Sequence, residues 1–150
     1  MAKQFRFPLE KVLDYKKSIE DLKAGELNRS REKKKTEEDK LKYIEDKKEE
    51  ILIENDSQGN ITINQLNITT DYLFQLNDQL EKGTARVLDA NTEVENKLDN
   101  LNEASKDKKA VEKLRERKLS EHKILKKKVE IKKTDEIANR TDQIKRKITS

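Results

Sequence analysis

The residues able to do chemistry are few and scattered. The single histidine, His122, stands between Glu121 and Lys123, with no second histidine and no cysteine at ligand spacing, so a solvated surface histidine is expected rather than a metal ligand. The glycines stand alone at 25, 59 and 83, which leaves no glycine-rich phosphate turn, Walker A loop or nucleophile elbow. Carboxylates are plentiful, but acid–base work needs a concave, water-excluding pocket to set their pKa values apart. No catalysis, cofactor or metal is expected. What remains is recognition by charge. The Lys126-Lys127-Lys128 and Lys132-Lys133 clusters suit phosphates or an acidic protein surface. Glutamates are interspersed among them, and no aromatic residue follows Phe74 to stack on bases. An acidic protein surface is therefore the expected partner, with a nucleic-acid-binding coiled coil or a generic scaffold as the alternative.

The elements that would carry these clusters are long helices. From Leu73, alternating steps of three and four reach Leu76, Leu80, Gly83, Val87, Ala90, Val94, Lys97, Leu101, Ala104, Lys108 and Val111. Such a stripe is too narrow for a globular core and suits one partner helix packing knobs into holes. A patchier stripe through Val12, Tyr15, Ile19 and Leu22 slips near Leu27 and resumes at Leu41, Ile44 and Ile51. The two stripes match in length if the chain folds back, with Ile51 near Leu73 and Val12 near Val111. The expected fold is all-α: a single antiparallel two-helix coiled-coil hairpin, helix one about 8–55, a bend about 56–70, and helix two about 71–146. The second helix is the longer and carries a C-terminal overhang.

Composition agrees. Of 150 residues 44% are charged, 31% hydrophobic and 4% aromatic, which suits an exposed coiled coil rather than an ordinary globule. The absence of cysteine excludes a disulfide frame. Met1 to Leu9 holds no apolar run, and no stretch approaches the ~20 apolar residues of a membrane span, so a cytoplasmic protein without a direct membrane span is expected. Charge is unevenly spread. Residues 1–50 hold 15 basic and 13 acidic side chains, 51–105 hold 3 and 10, and 106–150 hold 17 and 8, giving +2, −7 and +9. The bend is acidic and the far end basic, an asymmetry that bears on partners.

Residues 1–8 read as an arm ending in Pro8, whose fixed φ suits a helix start. Phe5 and Phe7 on this arm either staple the helix or meet a partner. The stretch Asn28 to Lys40 has no aliphatic or aromatic residue, so splaying is expected there. The turn falls in Asn55 to Asn60, with Thr69, Thr70 or Asp71 capping helix two. Gly83, inside that helix, costs roughly 1 kcal/mol against Ala and marks a weak point. Beyond Val111 the register meets Arg115, Lys118, His122, Leu125, Val129, Lys132 and Glu136, and no intrachain partner is expected. Tyr72 and Phe74 point off the stripe and form a small sticky patch near the bend.

Two segments resemble the FliJ family of bacterial flagellar type III export. The opening Phe5-Arg6-Phe7-Pro8-Leu9-Glu10-Lys11-Val12-Leu13-Asp14 is similar to its N-terminal signature. The run Val111 to Lys118, followed by Lys132-Lys133-Thr134-Asp135-Glu136-Ile137-Ala138-Asn139-Arg140, is similar to its C-terminal one. The resemblance implies a hairpin like the central stalk of rotary ATPases. It also implies binding to the hexameric flagellar export ATPase and to the cytoplasmic domain of the export gate, with escort of export chaperones as a further role. Such a protein would sit peripherally at the cytoplasmic face of the membrane. Carried over by motif, Leu9, Val12, Leu13, Arg115, Arg117, Asp135, Glu136 and Arg140 are expected at the ATPase, joined by Lys132 and Lys133 for their charge. Tyr72, Phe74 and Leu76 are the candidates for the gate.

Overall fold

The computed structural model describes residues 4–57 and 59–149. The first three residues of the arm, Gln58 of the expected turn, and Ser150 lie outside the described residues. Two helices account for nearly all of the rest: α1, Glu10–Ser57, and α2, Ile63–Thr149. Among the described residues there is no strand. Contacts divide the chain into two compact units, Met1–Ile19 with Ser105–Ser150, and Glu20–Ala104, and each is an antiparallel pairing of α1 with α2. In the first, Lys16 meets Asp107 and Glu10 meets Arg115. In the second, Glu26 meets Lys97, Lys34 meets Asn91, and Leu41 meets Gly83. Residue numbers rise on one helix as they fall on the other, as in a hairpin.

Pro8 sets up α1. The Glu10 N–H donates to the Phe7 carbonyl at 3.2 Å and the Leu13 N–H to the Leu9 carbonyl at 2.9 Å, so the ladder begins immediately after the proline. Glu10 in the first turn of α1, and Arg146 and Lys147 in the last turn of α2, oppose the helix dipoles. The cap of α2 lies earlier than Thr69, Thr70 or Asp71. Thr62 Oγ1 accepts from the Gln65 N–H at 3.2 Å while Gln65 Oε1 accepts from the Thr62 N–H at 3.3 Å, a reciprocal capping box. Ile61 to Thr70 therefore does not belong to a long bend. From Ile63 onward it is helix, because two satisfied N–H groups and continuity with a long α2 outweigh weak local propensities of a few tenths of a kcal/mol per residue.

All twelve positions of the α2 stripe, Leu73 to Val111, are buried or half-buried. On α1 the inward positions are Leu13, Lys16, Glu20, Lys23, Leu27, Ser30, Lys34, Glu37, Leu41, Ile44, Lys48, Ile51 and Asn55, an unbroken alternation of three and four. The expected slip near Leu27 does not exist. Val12, Tyr15 and Leu22 are exposed, because the true register runs one residue later through Lys16 and Lys23. Long lysine and glutamate stems cover the seam while their charges reach water.

The expected splaying at Asn28 to Lys40 is likewise absent. Ser30 is buried there, Lys34 Nζ donates to Asn91 Oδ1 at 2.9 Å, and Lys33 lies 3.5 Å from Glu93. Opposite this polar stretch α2 presents small residues, Gly83 and Ala90, both buried. A Cβ at Gly83 would lie 3.0 Å from Leu41 Cδ1, so the glycine is a point of close approach rather than a weak point. Glu26 Oε2 lies 3.5 Å from Lys97 Nζ and 3.7 Å from Lys23 Nζ, charge contacts longer than a good hydrogen bond.

Candidate interaction surfaces

In the unit formed by Met1–Ile19 and Ser105–Ser150, the arm lies along α2. Phe7 and Leu13 are buried, and the Phe5 ring sits 5.5 Å from the His122 ring at 49°. Pro8, Arg6 and Gln4 border the same open recess as Lys118, Glu121 and Leu125. His122 is thus half-buried against an aromatic ring, not a solvated surface residue, and α2 keeps an intrachain partner past Val111. The phenylalanines found their contact within the chain. Arg115 Nε donates to Glu10 Oε2 at 3.1 Å with both side chains about half exposed, so this arginine is partly committed to the pairing of α1 with α2.

From Lys123 to Thr149 every residue is exposed. Positions 126–149 carry nine Lys or Arg and four Asp or Glu, a net +5, on about 36 Å of helix at 1.5 Å per residue. Lys132, Lys133, Asp135, Glu136 and Arg140 all lie here, and Arg117 is exposed on the preceding segment. Val129, Ile131, Ile137, Ile144 and Ile148 are exposed beside them. Of the N-terminal candidates, Leu9 and Val12 are partly exposed, whereas Leu13 is 3% exposed and serves the seam.

In the unit Glu20–Ala104 the candidates at the connection end separate in the same way. Phe74 is 69% exposed and Tyr72 lies at the margin of exposure, but Leu76 is 3% exposed and faces α1. Leu76 belongs to the packing and offers no surface to a partner. Tyr72 borders an open groove shared by both helices, together with Ile51, Glu54, Ile61 and Ile68. Nearby, Lys47 Nζ stands 5.2 Å from the centre of the Tyr43 ring. Hydrogen bonding with Tyr43, aided by the charges of Tyr43, Tyr72 and Glu50, holds the Lys47 ammonium above the usual lysine range. The exposed Ile53, Ile63, Leu66 and Ile68 around this end escaped notice in the sequence, where only Tyr72 and Phe74 stood out.

Among the described residues no cluster of three or more metal-ligating side chains occurs, and no helix is long and apolar enough to cross a membrane. The geometry offers contact surfaces: a basic, exposed helical segment in one unit and an apolar, acidic end in the other.

A family model described as "Flagellar FliJ protein" matches residues 5–147. No curated protein sequence matches the chain. Among solved structures, CT670 of Chlamydia trachomatis, described as a YscO homolog, is similar at 21% identity and a TM-score of 0.70, over 96% of this chain and 99% of that one. The shared fold is the helical hairpin.

Proposed function

Because the chain belongs to the flagellar FliJ family and so has a role in type III protein export, we propose that it is a non-enzymatic stalk of that apparatus, binding the hexameric export ATPase through α2 beyond Lys123. The observation that carries this reading is a basic helical segment exposed on every side, from Lys123 to Thr149. An exposed helical segment of net +5 is suited to a ring lined by acidic side chains, and steering by charge speeds its entry. Lys132, Lys133, Asp135, Glu136 and Arg140 are the contacts there, and Arg117, Leu9 and Val12 are further contacts near the ion pair of Glu10 with Arg115 in the same unit. The connection end, through Tyr72 and Phe74, engages the cytoplasmic domain of the export gate, which holds the protein at the cytoplasmic face of the membrane. Escort of export chaperones is a further role of the same adaptor.

The test is charge reversal where no intrachain pairing is disturbed. Lys132→Glu with Lys133→Glu and Arg140→Glu is expected to weaken binding to the export ATPase at least about tenfold and to flatten its salt dependence. Unchanged binding would refute the assignment. Retarded migration of DNA or RNA at physiological salt, abolished by the same substitutions, would favour the nucleic-acid alternative instead.

A further inference from the structure

The connection end of the unit Glu20–Ala104 has an unusual charge pattern. From Glu49 to Glu81 the chain holds seven acidic residues and no Lys, Arg or His. Within the same stretch Ile53, Ile63, Leu66, Ile68 and Phe74 are each more than half exposed. Of these, Ile68 borders a groove between the two helices, and an exposed apolar groove marks a binding surface rather than chance exposure.

Its shape narrows the occupant. Ile51 and Glu54 from α1, and Ile61, Ile68 and Tyr72 from the start of α2 and its approach, border one open groove. Gln65, Ile68 and Tyr72 follow one another along two turns of α2, so the groove runs lengthwise beside the seam, the geometry that accepts a helix laid into it. The rim is predominantly acidic, with Lys47 and Lys48, one turn before Ile51 on α1, as the cations next to it. Glu54 borders the groove itself, and Glu49, Glu50, Asp56 and Asp71 are exposed around it. A partner with acidic flanks would meet like charge, and an anionic lipid surface is disfavoured for the same reason.

We propose that this groove binds the apolar face of a cationic amphipathic helix from another protein. The proposal rests on the reading that the connection end is a docking end, and it adds the chemistry of the occupant. Isoleucine and tyrosine supply the apolar contact, and the acidic excess of the rim selects lysine- and arginine-flanked helices over others.

The experiment uses the full chain and two designed peptides of about five helical turns, identical on their leucine face and bearing either lysine or glutamate elsewhere. Fluorescence anisotropy is expected to show the lysine peptide binding at least about tenfold more tightly at low salt, with the preference shrinking at high salt. Ile68→Ser is expected to weaken it about fivefold or more, and Glu54→Lys with Asp56→Lys to shift preference toward the glutamate peptide. These positions are exposed, so helicity and melting stay as in the parent, which separates lost binding from lost folding. Equal affinity for both peptides, or indifference to Ile68→Ser, overturns the proposal. So does sedimentation showing that the chain associates with its own copy and that Ile68→Ser abolishes this, since the occupant would then be a second copy of this chain. Gate capture that persists while neither peptide binds refutes this inference alone. Selective binding of the lysine peptide without gate capture supports it and counts against the gate.

Discussion

Ala104 and Ile137 lie on the same helix, yet the alanine is 7% exposed and the isoleucine 65%. The first sits in a stretch where every third or fourth residue meets α1. The second sits where no described residue of α1 lies alongside. Burial here follows the presence of a facing helix at the right spacing, and the apolarity of the side chain is secondary. The stretch around Ile137 keeps its large aliphatics exposed, whereas the paired stretch buries Leu76, Gly83, Ala90 and Ala104 against α1.

Substitutions at matched apolar residues test the contrast most strongly. Leu27→Ala, in the paired stretch, should cost about 2–4 kcal/mol in urea unfolding followed by circular dichroism, while Ile137→Ala should stay within about 0.5 kcal/mol. Equal costs would mean that Ile137 is covered after all. Enlarging the point of close approach comes next. Gly83→Val should destabilise by about 1–3 kcal/mol, because its methyls have no room beside Leu41. Gly83→Ala should be nearly neutral, since about 1 kcal/mol of gained helix propensity offsets a small shift of the leucine tip. Thr62→Ala, which removes one half of the capping box, should cost about 1 kcal/mol and fray the first turn of α2. Amide hydrogen exchange at residues 63–66 would register it. The smallest effects belong to exposed ion pairs. Lys33→Ala and Glu93→Ala, separately and together, should reveal a coupling of no more than about 0.5 kcal/mol, shrinking with salt.

The stripe of α2 was readable from Leu73 to Val111 because its residues are aliphatic or small at nearly every step. Its counterpart on α1 was not, since Lys16, Glu20, Lys23, Lys34 and Glu37 fill inward positions and hydropathy treats them as surface. Neighbouring Val12, Tyr15 and Leu22 drew the register one residue early. The box Thr62-Ile63-Asn64-Gln65 was present in plain letters but lay within the β-branched, asparagine-rich run Ile61 to Thr70, part of the expected bend. Exposure of Lys132, Lys133 and Arg140 followed directly from the failing stripe. Burial of Leu76 was legible too, because it is a member of that stripe, and a seam residue cannot also face a partner. The pairing of Phe5 with His122 could not be foreseen, as it depends on how an arm without periodicity lies down.

Gly83 bears on alignment as well as on packing. Sliding one helix by a heptad would set Leu41 against Leu76 or Ala90 instead, trading a hydrogen for a clashing isobutyl group or for a methyl to which the leucine tip must yield. The missing side chain works as a notch that admits a single tooth, and the short connection after Ser57 leaves little slack for any other setting. Gly83 and the short connection thus favour the same setting, the one in which the exposed isoleucines emerge at the loop end, about twenty residues along the helix from the glycine.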